Sequence, residues 1–545
     1  MHTPKVLLVL GVFIVAVTSL GFAAGSDEQA AGESGDVLVE PYTNTLPIVK
    51  AEDRDKVKYK IYVPVQGVTF KPVSNDLPVY KYYAELTNVV PEWYNLEEYG
   101  SVIKAKIAGG DIPDIVNIGG LGTGPSGMDL SQWSDDGILI PLNDLIDKYA
   151  PNLNNWWQTH KLQRFQHTAA DKETYFVSYY ELPSYNQTKL SVNQQWLDAL
   201  GLAVPSTVDE FYEVLKAFRD EDPNNNGKND EIPLVTFGNF IGVIIDAFGV
   251  QMGRGMEGWQ MPAAAGGKIT FAYTDPRYRE ALAYLNKLYS ENLLDREYAS
   301  AGYTETFEKA KLDIMGSVII WINTTFVLNS MSPLSDSQAT IPVYKAIPPL
   351  KGPRGDQRYI RSRTILSGGL AITNRAEHPE VAMRYIDFLR SSEEAIEAQN
   401  YGVEGITYNK VGGRYELIDS PENPFSRTLE EIGGRQPPYG QTVTKVGYDL
   451  RWPKWMPPMV EALEQYYIDT FPHVAAQLDE IEIQNRLYPD IQTYAKEMLE
   501  KFITGQESLD TFDEYVATLN GMGVDELLKV KQAQYDRYTE WMKSN

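Results

Sequence analysis

Segments with the pattern of strands and segments with the pattern of helices alternate along this 545-residue chain, and this alternation limits the fold more than any other feature. Residues 57–64 and 110–116 predict buried strands, and 97–108 has its apolar residues at helical spacing. Residues 368–373 predict another strand, and a helix follows it through Pro379. Such alternation is typical of α/β proteins with parallel sheets that carry helices on both faces. A chain of this length exceeds one core, so we expect two or more lobes.

Residues 207–218 predict a helix with a well-marked start. Thr207 and Glu210 have the spacing of a capping box. The apolar residues that follow lie at helical intervals and predict its buried face: Phe211, Val214, Leu215 and Phe218. Upstream, Trp196 falls on the apolar face of another predicted helix, and we assign it to the core.

The stretch 222–231, directly after that helix, has the pattern of a calcium loop. Gly227 stands where such a loop must bend sharply, and Pro233 replaces the closing Glu of an EF-hand. A hard cation such as Ca²⁺ suits this many oxygen donors. The predicted ligands are Asp222, Asn224, Asn226, the backbone carbonyl of Lys228, Asp230 and Glu231. The alternative is a solvated polar turn, in which Asn, Gly and Asp are also common.

The first 23 residues predict a cleaved signal peptide. Lys5 supplies a positive charge, residues 6–17 are apolar, and small residues end the segment at Ala23. The alternative is an uncleaved membrane anchor over 6–24. Residues 24–49 predict a flexible acidic tether. The chain has no Cys, which excludes disulfides, thiol catalysis and a lipid-bearing cysteine, so we expect a periplasmic protein without a lipid.

The run 194–234, QQWLDALGLAVPSTVDEFYEVLKAFRDEDPNNNGKNDEIPL, resembles the extracellular solute-binding proteins of ABC sugar importers. The group typified by lipoprotein LplA and the alginate-oligosaccharide-binding proteins is the most similar, and in that group a loop of this form binds a structural calcium. The helical tail 501–538 resembles the family's C-terminal helices. The resemblance extends from about residue 57 to residue 538.

This resemblance implies an α/β, two-lobed periplasmic-binding-protein fold of type II, similar to the maltose-binding proteins, with a hinge between discontinuous lobes. It places lobe one at 50–187 plus 340–395, and lobe two, which contains the calcium loop, at 188–339 plus 396–545. It also implies a monomer that captures an oligosaccharide in the interlobe cleft and delivers it to the permease subunits of an ABC transporter. The net charge of −25 argues against nucleic acids as partners.

Sugar sites need aromatic platforms and planar polar side chains, and four regions offer both. Residues 179–181 match the position at which maltose-type proteins enter the cleft, and 401–405 matches a family segment near it. An apolar run ends at 321, so an extended strand end would put residues 321 and 323 on one side. Prolines should keep 452–458 irregular and exposed. The candidate ligand-binding residues are Tyr179, Tyr180, Glu181, Trp321, Asn323, Arg363, Tyr401, Glu404, Trp452 and Trp455.

Three alternatives remain open at this point. Arg361 and Arg363 could pair with a uronic-acid carboxylate, or simply with surface acids. Asp111 and Asp114 could be read as a glycosidase pair, but the chain contains no GxSxG, HExxH or P-loop motif, so we do not expect an enzyme. A cell-surface polysaccharide-binding protein without a transport role is the third possibility.

Overall fold

Two mixed β-sheets organise the fold. The computed structural model describes residues 38–65, 71–118, 128–178, 187–252, 256–262, 267–333, 342–361, 369–412, 414–419, 425–434, 455–469, 471–472 and 474–544. The first sheet contains β1 (Lys60–Pro64), β2 (Glu92–Leu96), β3 (Ile115–Asn117), β4 (Val177–Ser178) and β12 (Gly369–Ile372), in the order β2-β1-β3-β12-β4. The second contains β5 (Thr188–Asn193), β6 (Ile232–Thr236), β9 (Met315–Trp321) and β10 (Tyr344–Ala346), in the order β10-β5-β9-β6.

Three two-stranded sheets and a set of helices complete the described structure. The small sheets are β7 (Trp259–Gln260) with β8 (Thr270–Phe271), β11 (Tyr359–Arg361) with β15 (Tyr467–Asp469), and β13 (Tyr408–Val411) with β14 (Arg414–Leu417). The helices are α1 (Pro78–Thr87), α2 (Tyr99–Ala108), α3 (Met128–Asp135), α4 (Asn143–Tyr149), α5 (Pro151–Thr159), α6 (Lys161–His167), α7 (Gln194–Leu200), α8 (Val208–Asp220), α9 (Gly242–Asp246), α10 (Pro276–Ser290), α11 (Tyr303–Lys311), α12 (Ile322–Met331), α13 (Pro379–Ser391), α14 (Glu393–Tyr401), α15 (Phe425–Glu431), α16 (Met456–Leu463), α17 (Leu478–Thr504), α18 (Phe512–Gly521) and α19 (Val524–Ser544). No helix among the described residues combines the length and the apolar character that a membrane crossing requires.

The sheets are mixed, whereas the sequence predicted parallel ones. β1 pairs in parallel with β2 and β3, and β6 pairs in parallel with β9. β12 and β5 run antiparallel to their neighbours. The chain enters β5 from the first sheet and enters β12 from β11 of a small sheet, so neither strand is entered through the helical crossover that makes neighbours parallel. The alternation of strands and helices predicts crossovers within one sheet, but it does not predict that β5 and β12 are entered from other sheets.

Alternate residues of the first sheet enter two different apolar clusters. Ile61 and Val63 of β1 belong to the cluster that also contains α13, whereas Tyr62 belongs to the cluster that contains Ile103 and Ile107 of α2. Successive strand residues point to opposite faces, so both faces of this sheet are covered. The predicted helices on both faces are therefore confirmed. The largest cluster belongs to the second sheet and includes residues of the C-terminal helices α17–α19.

The predicted helix after residue 207 is confirmed, with one difference at its start. The Thr207 hydroxyl accepts a hydrogen bond from the backbone N–H of Glu210, and the four apolar residues of the predicted face are all buried. The Glu210 carboxylate accepts from the backbone and hydroxyl of Ser206 instead of from Thr207. Trp196 is 1% exposed and packs edge-on against Phe218, as its core assignment predicted.

Candidate functional site

Four aromatic rings meet at one edge of the second sheet, and we call them the aromatic wall: Phe237, Phe240, Tyr303 and Trp321. Trp321 is the last residue of β9, and Phe237 directly follows the neighbouring parallel strand β6. The Trp321 ring lies 5.1 Å from Phe237 and 4.5 Å, edge-on, from Phe240. The wall therefore stands at the carboxyl ends of parallel strands, which is where open α/β sheets bind their ligands.

Exposure differs across the aromatic wall. Phe240 is 6% exposed, Phe237 and Trp321 are half-buried, and Tyr303 is 43% exposed. Tyr303 lies nearly parallel to Trp321, with ring centroids 5.7 Å apart at 25°. Phe240 thus supports the group, while the other rings present apolar faces of the kind that stack on C–H groups of a sugar. Sequence reasoning missed Tyr303, because a single Tyr at the start of a helix carries no distinguishing signal.

The geometry predicted for Trp321 and Asn323 is wrong in one respect. The strand ends at Trp321, which pairs with Thr188, and the backbone N–H of Ile322 donates to the carbonyl of Gln187. The chain then turns into α12, so Asn323 is the second residue of a helix and not part of an extended strand. The extended strand end on which the predicted pairing depends does not reach Asn323, so the pairing on one side does not follow.

Trp455 lies on a part of the chain that is distant from Trp321 in sequence. It is half-buried and packs against the apolar cluster that contains Ile322, the residue after Trp321. The segment that follows is helical from Met456 and not irregular as predicted, because prolines are tolerated in the first turn of a helix. Trp455 thus packs against a cluster that adjoins Trp321 along the chain.

Tyr401 and Glu404 each contact residues that are close to them in the sequence. The Tyr401 ring is 7% exposed and stacks on Tyr415 at 4.1 Å and 8°. The exposed Glu404 carboxylate accepts from the backbone N–H of Lys410. Tyr401 therefore packs as part of the β13–β14 hairpin, and its ring offers little free surface to a ligand.

The remaining predicted ligand-binding residues lie outside the described residues: Tyr179, Tyr180, Glu181, Arg363 and Trp452. Their neighbour Arg361 is described. Its guanidinium pairs with Asp469 at 3.1 Å and with Glu464 at 3.2 Å, and it stacks over the ring of Tyr467. Arg361 therefore already pairs with acids of this chain, which favours the second of the two roles weighed for it.

The predicted calcium loop is wound tightly by its own hydrogen bonds. Both carboxylate oxygens of Asp222 accept backbone N–H groups, from Asn226 and from Gly227 at 3.0 Å each. The Asn226 side chain donates to Asp230. Gly227 has φ +76°, a conformation that strongly favours glycine, as the sharp bend at position 6 required. Within the described part of the chain, the acidic and histidine side chains form no preassembled metal cage.

Glu231 is the loop residue whose buried carboxylate is not accounted for by hydrogen bonds to the described residues. Both of its carboxylate oxygens are buried, and neither has a hydrogen-bond partner among the described residues. Burial raises the pKa of Glu231, the nearby backbone N–H groups of Glu231 and Asp230 lower it in part, and the negative charges of Asp230 and Asp222 raise it further. These N–H groups do not have hydrogen-bond geometry to the carboxylate, and a buried carboxylate in this state is costly unless a cation neutralises it. The residues of this loop therefore fit a bound Ca²⁺.

The loop is linked to the strands that end at the aromatic wall. The Asn224 amide donates to the carbonyl of Asp313, just before β9 begins, and β6 begins directly after Glu231. The calcium loop thus lies at the starts of β6 and β9, and the aromatic wall lies at their ends. A cation in the loop would hold these strand starts and would not touch a ligand at the wall.

Comparison with known proteins defines the class. Residues 77–396 match the family of bacterial extracellular solute-binding proteins, which is more than half of the chain, and the chain belongs to this family. Members of this family are extracellular binding proteins. The two-lobed α/β fold expected from the sequence is thereby confirmed.

Individual relatives can now be named. The fructooligosaccharide ABC transporter substrate-binding protein FusA of Streptococcus pneumoniae is 25% identical, over 96% of this chain and 97% of that protein. A crystal structure of the alginate-binding protein AlgQ2 without calcium ion has a TM-score of 0.68 at 23% identity, covering 88% of this chain and 98% of that one. An EF-hand mutant of FusA from S. pneumoniae, in complex with fructo-nystose, has a TM-score of 0.69 at 22% identity, covering 89% of this chain and 99% of that one.

Proposed function

We propose that this chain is the substrate-binding subunit of an ABC importer, and that it captures an oligosaccharide between its lobes without turning it over. The aromatic wall carries the proposal, because it presents stacked rings at the carboxyl ends of β6 and β9. Its relatives support it, since their names include a fructooligosaccharide and alginate as ligands. The permease subunits of the transporter would be the protein partners.

Sheet membership supports lobe boundaries that differ from those drawn from the sequence. β10 pairs with β5 of the second sheet, although residue 344 lies in the segment 340–395 that was assigned to lobe one. α14 and Ile432 pack in the cluster of the first sheet, although residues after 395 were assigned to lobe two. We therefore propose that lobe one comprises about 38–178 plus 369–434, and lobe two about 188–361 plus 455–544.

The proposed ligand site centres on Trp321, Trp455 and Tyr303. Tyr179, Tyr180, Glu181, Asn323, Arg363 and Trp452 remain predicted contributors on sequence grounds alone. Glu404 also remains a predicted contributor on sequence grounds, whereas we propose a packing role for Tyr401, because its ring is buried against Tyr415. Neutral and acidic sugars both remain candidates.

We further propose one structural Ca²⁺ in the loop 222–231, with Glu231 as a closing carboxylate. The buried, unpartnered oxygens of Glu231 support this, and so do the relatives whose structures are described as lacking calcium or as carrying an EF-hand mutation. We also propose a periplasmic location without a lipid, since the sequence contains no cysteine.

Calorimetric titration with kestose and with alginate oligosaccharides tests the ligand proposal. Stacking on an aromatic ring adds roughly 0.5–1.5 kcal/mol, so Trp321→Ala should weaken binding about two- to tenfold. Trp156→Ala is the matched control, because that half-buried ring lies on α5 in the other lobe and stacks on His160, the residue after α5. Equal effects of the two variants would refute the role of the wall, and release of product from either sugar would favour an enzyme.

A further inference from the structure

A lysine is buried in the second sheet, and its ammonium group has no hydrogen-bond partner among the described residues. Lys189, the second residue of β5, is 0% exposed. Its ammonium nitrogen lies 3.6 Å from the centroid of the Tyr467 ring and 4.6 Å from that of Tyr359. It makes no hydrogen bond to any described residue. A buried ammonium normally needs an anion or several acceptors, and here two aromatic faces take their place.

The two rings come from strands that adjoin the passages between the sheets. The chain passes from β4 of the first sheet to β5 of the second, where Lys189 lies. It returns between β11, which carries Tyr359, and β12. The third connection runs from Ile432 to Trp455. The carbonyl of Ile432 accepts a hydrogen bond from α1 of the first lobe, whereas Trp455 packs in the second lobe. β15, which carries Tyr467, follows this connection. Lys189 thus lies beside the first connection between the lobes. It contacts Tyr359, next to the second connection, and Tyr467, next to the third.

Further bonds make this junction one connected unit. The Tyr359 hydroxyl donates to the carbonyl of Ile347 at 2.8 Å and accepts from the backbone N–H of Leu190. β11 and β15 are paired in parallel over three residues. A change at Lys189 would therefore affect both strands, which lie at the lobe-two ends of two of the three connections between the proposed lobes.

We propose that Lys189 is a positioning residue of the hinge, which holds β11 and β15 against β5 through its contacts with Tyr359 and Tyr467. The role goes beyond sugar capture and is independent of which sugar is bound. An apolar side chain of the same length would fill the same space, but it would not be attracted to the negative faces of the two rings.

The charges around Lys189 come from two elements. Burial lowers the pKa of Lys189 well below its usual value, the Glu464 carboxylate raises it, and the Arg361 guanidinium lowers it further. Arg361 is itself paired with Glu464 and Asp469. The folded protein therefore binds the proton of Lys189 less readily than the unfolded chain does, so this residue destabilises the fold at low pH. That cost shrinks as pH rises towards 10.5.

Hydrogen exchange of the sugar-free protein tests the proposal with Lys189→Met. We expect amides of β11 and β15 to exchange about tenfold faster or more, while those of β9 are unchanged. Lys531→Met is the matched control, since Lys531 is also buried and near two rings but lies on α19 and donates to Gln484 and Gln534. Unchanged exchange in both strands, or an equal change with the control, would overturn the proposal.

A second variant separates positioning by the cation from simple packing. Lys189→Arg keeps a cation beside the rings of Tyr359 and Tyr467, so amides of β11 and β15 should exchange more slowly than in Lys189→Met. Exchange as fast as in Lys189→Met would overturn the proposal. If Lys189→Met does not fold, Tyr467→Leu removes one ring on the half-exposed strand β15 and should produce the same faster exchange in β11. Because neither measurement uses a sugar, failure here is distinct from failure of the ligand proposal.

Discussion

Glu231→Gln should change the stability of this protein in opposite directions with and without calcium. In a chelator, the wild-type protein buries two carboxylate oxygens that have no hydrogen-bond partner among the described residues. Burial and the charges of Asp230 and Asp222 already raise the pKa of this carboxyl. A neutral amide of the same shape avoids burying that charge, so the variant should gain about 1 kcal/mol in free energy of unfolding.

With calcium the sign reverses. A cation that binds only the folded state adds about 2.7 kcal/mol to the free energy of unfolding when its free concentration is 100 times its Kd. The amide of Gln supplies a weaker, neutral oxygen in place of the closing carboxylate. The variant should therefore lose a large part of that 2.7 kcal/mol, and the effect of the mutation should differ between the two conditions by about 2–3 kcal/mol.

Scanning calorimetry in EGTA and in excess calcium measures both values. Glu221→Gln is the control, because Glu221 is exposed at the end of α8 and lies directly before the loop. A destabilisation by Glu231→Gln that is the same in both conditions would refute the reasoning. It would mean that Glu231 stabilises the fold through contacts of its own and that the loop is a polar turn.

Two further predictions concern buried polar groups. The Asp387 carboxylate accepts hydrogen bonds from the backbone N–H of Leu153 at the start of α5 and from the guanidinium of Arg384. Because Asp387→Ala leaves that buried cation unpaired, the free energy of unfolding measured in urea should fall by about 3–5 kcal/mol. A loss below about 1 kcal/mol would contradict this expectation. Burial lowers the pKa of His167 to about 4, and its Nε2 accepts a hydrogen bond from the backbone N–H of Ser178, which protonation would break. The stability of the protein should therefore fall as pH drops from 6.5 towards 4. His167→Phe should make the melting temperature less dependent on pH over that range.

Elements with a strong local pattern were predictable from the sequence. α13 begins at Pro379, as predicted, and the apolar residues at helical spacing after it are buried: Val381, Ala382, Tyr385, Ile386 and Leu389. The bend of the calcium loop also followed from position, since Gly227 has the positive φ that the pattern requires. In each case one short stretch contains every residue on which the structure depends, so spacing alone carries the information.

Pairing between distant strands was not predictable in this way. β10 joins the second sheet by pairing with β5, and β12 joins the first between β3 and β4. β12 is reached after a passage between the lobes, whereas β10 follows β9 and α12 within the second lobe. A single strand's hydrophobic pattern says which face is buried but not which neighbour covers its edge. The lobe boundaries drawn from the sequence therefore differ from the sheet membership around residues 340 and 395.

The aromatic wall shows why the ligand site was only partly predictable. Trp321 could be singled out because it ends an apolar run, but its neighbours are set by the pairing of β6 with β9, which places Phe237 beside it. Tyr303 reaches the same place from the start of α11, a helix whose sequence gives no sign of a ligand. A binding surface assembled from several strand and helix ends depends on sheet register. Identifying its members therefore requires the fold, whereas the calcium loop, whose predicted ligands are contiguous, does not.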